Sequence, residues 1–293
     1  MHEGDFMASD ILATIKSRVP SMSKGQRHIA EYILANYDKA AFMTASRLGS
    51  AVGVSESTVV RFSYVVGYDG YPSLQKALQE MIRNRLTSVQ RIEVANSMLE
   101  KEDLMTMVLQ SDIDNIRGTI EGMDRVVFQG AVDAIVKARH IYILGVRSSA
   151  AIANFLGFYF NMMFDNVKLV DRSSISEVFE QTFRVGVGDV VIGISFPRYS
   201  SRTVKAVKFA SDRGASVVAL TDSLTAPIAE HASYTLVAKS DMISVVDSLV
   251  APLSLVNALI VAVSQKKDMN IPETFMELEH IWDEYGVYEK IDG

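Results

Sequence analysis

The sequence predicts an α/β protein: an N-terminal all-helical helix-turn-helix domain followed by a doubly wound α/β/α domain with a five-stranded parallel sheet. Three observations predict it. Over the N-terminal region apolar side chains recur at intervals of three and four around a glycine turn. Beyond Met123, short β-branched runs alternate with helical lengths. Two serine-bearing loops each follow a strand-like run and open a helix-like one. These shifts place boundaries at 1–80 for the helical domain, 81–122 for a helical linker, 123–266 for the α/β domain and 267–293 for a C-terminal helix.

Helical spacing covers Ile11 to Val19, Lys24 to Asn36 and Ser46 to Val52, with Ile29, Ile33 and Leu34 on one side of Arg27 and Glu31. Ser23 and Thr44 read as N-caps. The run Gly53-Val54-Ser55-Glu56-Ser57-Thr58-Val59-Val60-Arg61-Phe62 then supplies a glycine turn, a serine cap and a short helix. Val59, Phe62 and Val66 face inward on that helix. Ser55, Ser57, Thr58 and Arg61 cluster outward at its N-terminus, where a helix entering a major groove meets base edges and phosphates. Lys24, Arg27 and Lys76 are further candidates for phosphate contact. The competing reading is a helical hairpin with no nucleic-acid role, in which Arg61 is an ordinary solvated arginine.

This stretch resembles the N-terminal domain of the RpiR family of bacterial transcriptional regulators. The resemblance rests on Thr44-Ala45-Ser46-Arg47-Leu48, on Ser55 through Phe62, and on Gly67-Tyr68-Asp69-Gly70-Tyr71-Pro72-Ser73-Leu74. It implies double-stranded operator DNA as a partner. From Met81 to Gly122 the chain stays helix-compatible and polar, including Glu93 through Leu99, and reads as one or more connecting helices.

In the second domain the strand-like runs are His140 to Gly145, Val167 to Asp171, Asp189 to Ser195, Ser216 to Asp222 and Tyr234 to Ala238. Runs apolar throughout fit a sheet covered on both faces, and intervening helices imply parallel order with right-handed crossovers. A ligand crevice is then expected at the C-terminal edge of the strands, where Gly145-Val146-Arg147-Ser148-Ser149 and the segment from Ser195 to Thr203 both fall. Hydroxyls and N–H groups converging at helix N-termini suit a phosphate ester, because unpaired donors and the positive dipole end face the anion.

These segments resemble the sugar isomerase (SIS) domain, a phosphosugar-binding module, over 123–266. That family holds phosphate with a Gly-x-Gly-x-Ser and a Ser-x-Ser-Gly-x-Thr loop. Here Arg147 replaces the second glycine, Pro197 and Arg198 replace Ser-Gly, and Ser200 replaces threonine. The resemblance implies Ser149, Ser195 and Ser200 as phosphate ligands, then Ser148 and Thr203. Arg198 adds a bidentate contact to phosphate or to a sugar carboxylate. Glu177 is a sugar-hydroxyl ligand or a structural partner. Against this, any of the serines has an alternative use as a helix cap, and Arg147 and Arg198 as ion-pair partners of Asp171 or Glu177.

Composition narrows the function classes. The chain of 293 residues holds no cysteine, which excludes disulfides, thiolate zinc sites and cysteine nucleophiles; its 5 histidines show no metal spacing. Net charge is −6, yet residues 1–91 hold 11 Lys and Arg against 8 Asp and Glu, and the remainder 18 against 27, so the basic balance sits with the DNA pattern. The start lacks the basic and apolar regions of a secretory signal. The apolar stretch from Val245 to Val263 is interrupted by Asp247, Pro252, Ser254 and Asn257 and reads as a buried or dimer-interface helix. Phe275, Leu278, Ile281 and Trp282 mark an amphipathic C-terminal helix that packs on the body or on a second subunit.

Together the resemblances imply a transcriptional regulator of carbohydrate metabolism, a cytoplasmic homodimer or homotetramer whose operator binding is modulated by a phosphosugar effector. No cofactor, metal, membrane partner or catalytic residue is expected. Two other readings stand beside it. One is a phosphosugar isomerase or related enzyme with an extra helical domain, which needs a placed general base such as Glu177 or Glu180. The other is a scaffold that senses phosphosugars without reading DNA.

Overall fold

The computed structural model describes residues 11–83, 103–170, 174–241, 247–266 and 271–289. The chain divides into two units, Met1–Glu102 and Asp103–Gly293. The first contains α1 (Ile11–Arg18), α2 (Lys24–Ala35), α3 (Tyr37–Ala40), α4 (Ala45–Val52), α5 (Glu56–Val65) and α6 (Tyr71–Arg83). Both expected caps are present. Gln26 Oε1 accepts the Ser23 N–H at 3.0 Å, and Thr44 Oγ1 accepts the Arg47 N–H at 3.2 Å. The four-residue α3 is too short to leave a periodic signal in sequence.

Ile15, Ile29, Ile33, Leu48, Phe62 and Leu74 are buried at the centre of this unit. Between α4 and α5 the chain turns through Gly53 in the left-handed region, at φ 72°, and the Val54 N–H donates to Gly49 O at 2.9 Å. A Cβ on Gly49 would lie 2.8 Å from Val54 O, so only glycine lets the turn fold back this closely on α4. Two long-range polar ties then join elements of this unit, the first of them at the end of α5. Arg18 donates to Val65 O at its C-terminus. The Tyr71 hydroxyl, whose pKa burial pushes up to about 12, donates to Met43 O at 2.6 Å.

The second unit contains α7 (Leu104–Gly122), α8 (Arg125–Val136), β1 (Ile141–Gly145), α9 (Ser149–Met163), β2 (Val167–Val170), α10 (Ile175–Thr182), β3 (Val190–Ile194), α11 (Ser201–Asp212), β4 (Ser216–Thr221), β5 (Tyr234–Val237), α12 (Val250–Lys266) and α13 (Ile271–Glu284). All pairings are parallel, in the order β2-β1-β3-β4-β5. Successive side chains alternate between two cores. Ile141, Ile143, Ile192, Ile194 and Leu220 pack with α8, α9 and α12, whereas Tyr142, Leu144, Val191, Val217 and Ala219 pack with α10 and α11. Central strands therefore read as continuous apolar runs because each face has its own helical layer.

The segment from Val250 onward forms the buried helix expected of it, with Leu255, Val256, Leu259 and Val263 inside and Pro252 in the first turn, where its missing N–H costs nothing. No described helix is long and apolar enough to cross a membrane. Helix α7, which the sequence assigns to the linking segment, makes its polar contacts within the second unit. Asn115 exchanges hydrogen bonds with the Asp241 backbone, and Thr119 accepts from the Lys239 N–H at 2.9 Å. The rest of that segment, including Glu93 through Leu99, lies outside the described residues, as do Asp171 and the Val245 end of the apolar stretch. On α13, Phe275, Leu278 and Trp282 are half-buried, and the helix lies against α9.

At the N-terminal edge of the sheet, His140 and Asp189 begin two of the strand-like runs and share an ion cluster. The buried Asp189 carboxylate accepts from Arg139 Nε and Nη2 at 2.9 and 2.8 Å, from His140 Nδ1 at 3.1 Å and from the Gly186 N–H at 2.9 Å. Burial pushes this carboxyl up, but the Arg139, Gly186 and His140 hydrogen bonds outweigh it and hold the pKa below the ordinary 3.8. A depressed carboxyl contributes stability above its unfolded pKa and loses it as pH falls through the folded value. Asp189→Asn is therefore expected to cost about 1–3 kcal/mol at neutral pH by urea denaturation. Its deficit against the natural protein should shrink in melts taken from about pH 4 downward, and a deficit unchanged at acid pH would exclude this role.

Candidate functional site

The sheet order reverses at β1 and β3, which lie side by side with Gly145 opposite Ile194. From β1 the chain crosses to β2 through α9 on one face; from β3 it crosses to β4 through α11 on the other. The N-termini of two helices thus flank a crevice at one point of the C-terminal edge. Both serine-bearing loops leave from this point.

In the loop after β1, a Cβ on Gly145 would lie 2.6 Å from Ser149 O, so glycine lets the first turn of α9 press onto the strand end. Ser149 is buried there and Ser148 is exposed. Ser148 occupies the N-cap position without a side-chain cap bond, so capping does not account for it. In the loop after β3, the Ser195 N–H still donates to Leu220 O at 3.0 Å, while Phe196 and Pro197 are buried. Ser200 is the N-cap of α11, its Oγ accepting the Thr203 N–H at 3.4 Å, so the cap reading holds for this serine.

Ser195 and Thr203 are 2% and 0% exposed, and among the described residues their hydroxyls have no hydrogen-bond partner. An unsatisfied buried polar group costs about 1–3 kcal/mol, and the fold gives no return for either. Arg147 and Arg198, at φ 58° and 55°, are the only non-glycine residues with positive φ among the described residues. Each left-handed residue costs roughly 1–3 kcal/mol. Both are exposed beside the crevice.

Sequence reasoning missed the tie that fixes the second loop. The Tyr199 hydroxyl donates to the buried Asp222 carboxylate at 2.8 Å, joining the loop after β3 to the end of β4. Its only signal is the adjacency of β3 and β4, which no local pattern encodes. Glu177, after β2, is engaged structurally: its Oε2 accepts from the Ser174 N–H and hydroxyl at 3.1 and 2.7 Å in a capping box that starts α10. Among the described residues no group of three His, Asp or Glu could hold a metal ion.

In the helical unit, Ser55, Ser57 and Thr58 form one hydroxyl cluster at the N-terminus of α5, with Ser55 Oγ 2.9 Å from each of the other two. Arg61 Nε donates to Ser57 O at 3.2 Å, which lays the arginine along the same surface. Ser55, Ser57 and Arg61 are exposed and Thr58 half-buried, while Val59, Phe62 and Val66 are buried as expected. A Cβ on Gly25 would stand 3.5 Å from Val54 and 3.6 Å from Thr58, so the start of α2, with exposed Lys24 and Arg27, borders the α5 N-terminus. Lys76 is exposed on α6, which packs against α5.

Comparison with known proteins agrees with both halves. A model described as the rpiR-family helix-turn-helix domain matches residues 9–85, and one for the SIS domain matches residues 134–262. The chain is 29% identical over 234 residues to an uncharacterized HTH-type transcriptional regulator of Haemophilus influenzae, covering 78% of this chain and 80% of that one. It is 28% identical over 218 residues to the HTH-type transcriptional regulator HexR of Pseudomonas aeruginosa, covering 72% and 73%. Among solved structures, the sugar isomerase domain of an RpiR transcription factor from Sphaerobacter thermophilus superposes with TM-score 0.58 at 28% identity, over 61% of this chain and 99% of that one. The Vibrio vulnificus NanR protein complexed with ManNAc-6P shares the fold, with TM-score 0.57 at 22% identity over 94% and 99%. These relatives are regulators, so the chain is a DNA-binding regulator and not a sugar-phosphate isomerase. Joining an rpiR-family helix-turn-helix to a SIS domain, it belongs to the RpiR family of transcriptional regulators.

Proposed function

We propose that a phosphosugar, held by its phosphate in the crevice between β1 and β3, sets the affinity of the helical unit for operator DNA. The observation that carries this reading is the pair of orphaned hydroxyls, Ser195 and Thr203, buried beside a helix N-terminus at the point where the sheet order reverses. A phosphate has the acceptor oxygens to satisfy both, and the dipole of α11 favours its charge. Ser148 and Ser149 complete the clamp, together with Ser200, whose oxygen accepts at the cap of α11 and whose hydroxyl hydrogen is left to donate. Arg198 and Glu177 are the candidates for contact with the sugar. The phosphosugar named in the NanR complex is of the same chemical class.

On the DNA side, Ser55, Ser57, Thr58 and Arg61 read the major groove, and Lys24, Arg27 and Lys76 contact phosphates. The protein works in the cytoplasm, where its operator lies, as a homodimer or a pair of dimers. Helix α7 supports an oligomer. It turns Asn115 and Thr119 inward and leaves Leu104, Met105, Val108, Leu109, Ile113 and Ile120 exposed, the reverse of a surface helix. A second copy accounts for that face, because helix-turn-helix readers bind two-fold related half-sites.

Thr203→Val keeps the shape of the side chain and removes an orphaned hydroxyl. It is expected to raise the stability of the ligand-free protein by about 1–3 kcal/mol and to weaken phosphosugar binding about tenfold or more. Thermal melts and calorimetric titration read the two effects, and unchanged affinity would remove the clamp. Arg61→Ala should lose about 1–3 kcal/mol of operator affinity with the fold intact by circular dichroism, and unchanged affinity would take Arg61 off the reading surface. Leu109→Lys with Ile113→Lys should lower the mass seen by sedimentation to that of a smaller assembly; an unaltered mass would put the interface elsewhere.

A further inference from the structure

Resting on the reading in which α5 enters the major groove, we infer that Tyr64 is a further DNA contact, its hydroxyl donating to a backbone phosphate at the rim of that groove. Tyr64 is 56% exposed, and among the described residues of the helical unit no other large hydrophobic side chain is exposed. A single exposed tyrosine elsewhere on a surface calls for no explanation. The place of this one on α5 does. Ser57, Arg61 and Tyr64 follow one another at intervals of four and three and are the exposed positions of the helix after Glu56, so they form one stripe. Val59, Phe62 and Ser63 are buried on the other side. Tyr64 thus continues the surface on which Ser57 and Arg61 meet DNA.

Distance along the helix selects phosphate over base. A helix rises about 1.5 Å per residue, which puts Tyr64 about 10 Å beyond Ser57, close to the ~12 Å width of the groove. With the N-terminal hydroxyl cluster at the base edges, the last turn of α5 lies at the groove mouth, where the sugar-phosphate strand runs. The direction of the side chain agrees. A Cβ on Gly70 would lie 3.7 Å from the Tyr64 hydroxyl oxygen, which places that oxygen beside the start of α6, ahead of exposed Ser73 and Lys76. Among the described residues the hydroxyl makes no hydrogen bond, so its proton is available. A tyrosine suits the position, because its ring covers the rim while its O–H reaches an anionic oxygen, a stronger acceptor than a neutral one.

The test is a fluorescence-anisotropy titration of the full chain against two duplexes, one selected by the protein from a random pool and one of unrelated sequence. Tyr64→Phe removes only the hydroxyl. It is expected to weaken both complexes by the same factor, about tenfold, because a phosphate contact carries no sequence information. The salt dependence should stay as steep as that of the natural protein, since a neutral hydroxyl displaces no counterion, and the melting temperature should hold. Full affinity of Tyr64→Phe for both duplexes would overturn the inference. A loss confined to the selected duplex would make Tyr64 a reader of a base edge and overturn it also. So would full affinity of Tyr64→Phe combined with a loss for Tyr64→Ala, which would assign the ring to a thymine methyl. Arg61→Ala keeps two failures apart: a deficit there with none for Tyr64→Phe leaves α5 in the groove and removes only Tyr64, whereas unchanged affinity in both variants takes α5 off the DNA and this inference with it.

Discussion

Parallel strands whose crossovers leave on opposite faces of a sheet cannot close over the gap between them, and the second unit is organised around one such gap. At the boundary between β1 and β3, helix α9 turns onto one face and α11 onto the other. Their first turns project backbone donors toward one place. Everything assigned to ligand binding follows from that reversal: the buried position of Ser149, the orphaned hydroxyls of Ser195 and Thr203, and the facing loops with Arg147 and Arg198. The opposite edge of the sheet shows the contrasting condition. There Asp189 is saturated by Arg139, His140 and the Gly186 N–H, and nothing is left for a ligand.

The crevice is also where the protein is least satisfied by itself. Two hydroxyls without partners and two left-handed arginines each lower the stability of the ligand-free state. Such costs concentrate at sites that complete themselves on binding, because the ligand then recovers what the empty site lacks. The surrounding structure makes this tolerable: Phe196 and Pro197 are buried and Tyr199 is tied to Asp222, so the loop is held although the Ser195 hydroxyl is left without a partner among the described residues. A ligand that binds only the native state raises its stability through mass action.

Much of this was legible in the sequence, for identifiable reasons. The strand runs were readable because central strands covered on both faces are apolar at every position, and the observed strands lie within one or two residues of them. The helix-turn-helix was readable because its turn requires Gly53 and its inward residues Val59, Phe62 and Val66 keep helical spacing. What was not readable was long-range. Arg18 closing the end of α5, Tyr199 tying to Asp222, and α7 hydrogen-bonding through Asn115 and Thr119 to the strap after β5 all join residues far apart in the chain. Glu177 illustrates a shared signal, since the Ser174 capping box and a ligand carboxylate look alike until hydrogen bonds are traced. The left-handed backbone of the two arginines was hidden as well, although their place in glycine positions of the loops was its trace.

The central claim is that one ligand site and one DNA site are coupled in one chain. Coupling free energy is reciprocal, so a phosphosugar that changes operator affinity must have its own affinity changed by the same factor when operator is bound. The direct measurement is a titration of the full-length protein against a duplex selected by the protein from a random pool, with and without each phosphosugar, paired with titration of the sugar with and without the duplex. The account predicts at least one phosphosugar for which both affinities shift, and by equal factors. Operator affinity that stays the same with every phosphosugar, including any that demonstrably binds the crevice, would contradict it.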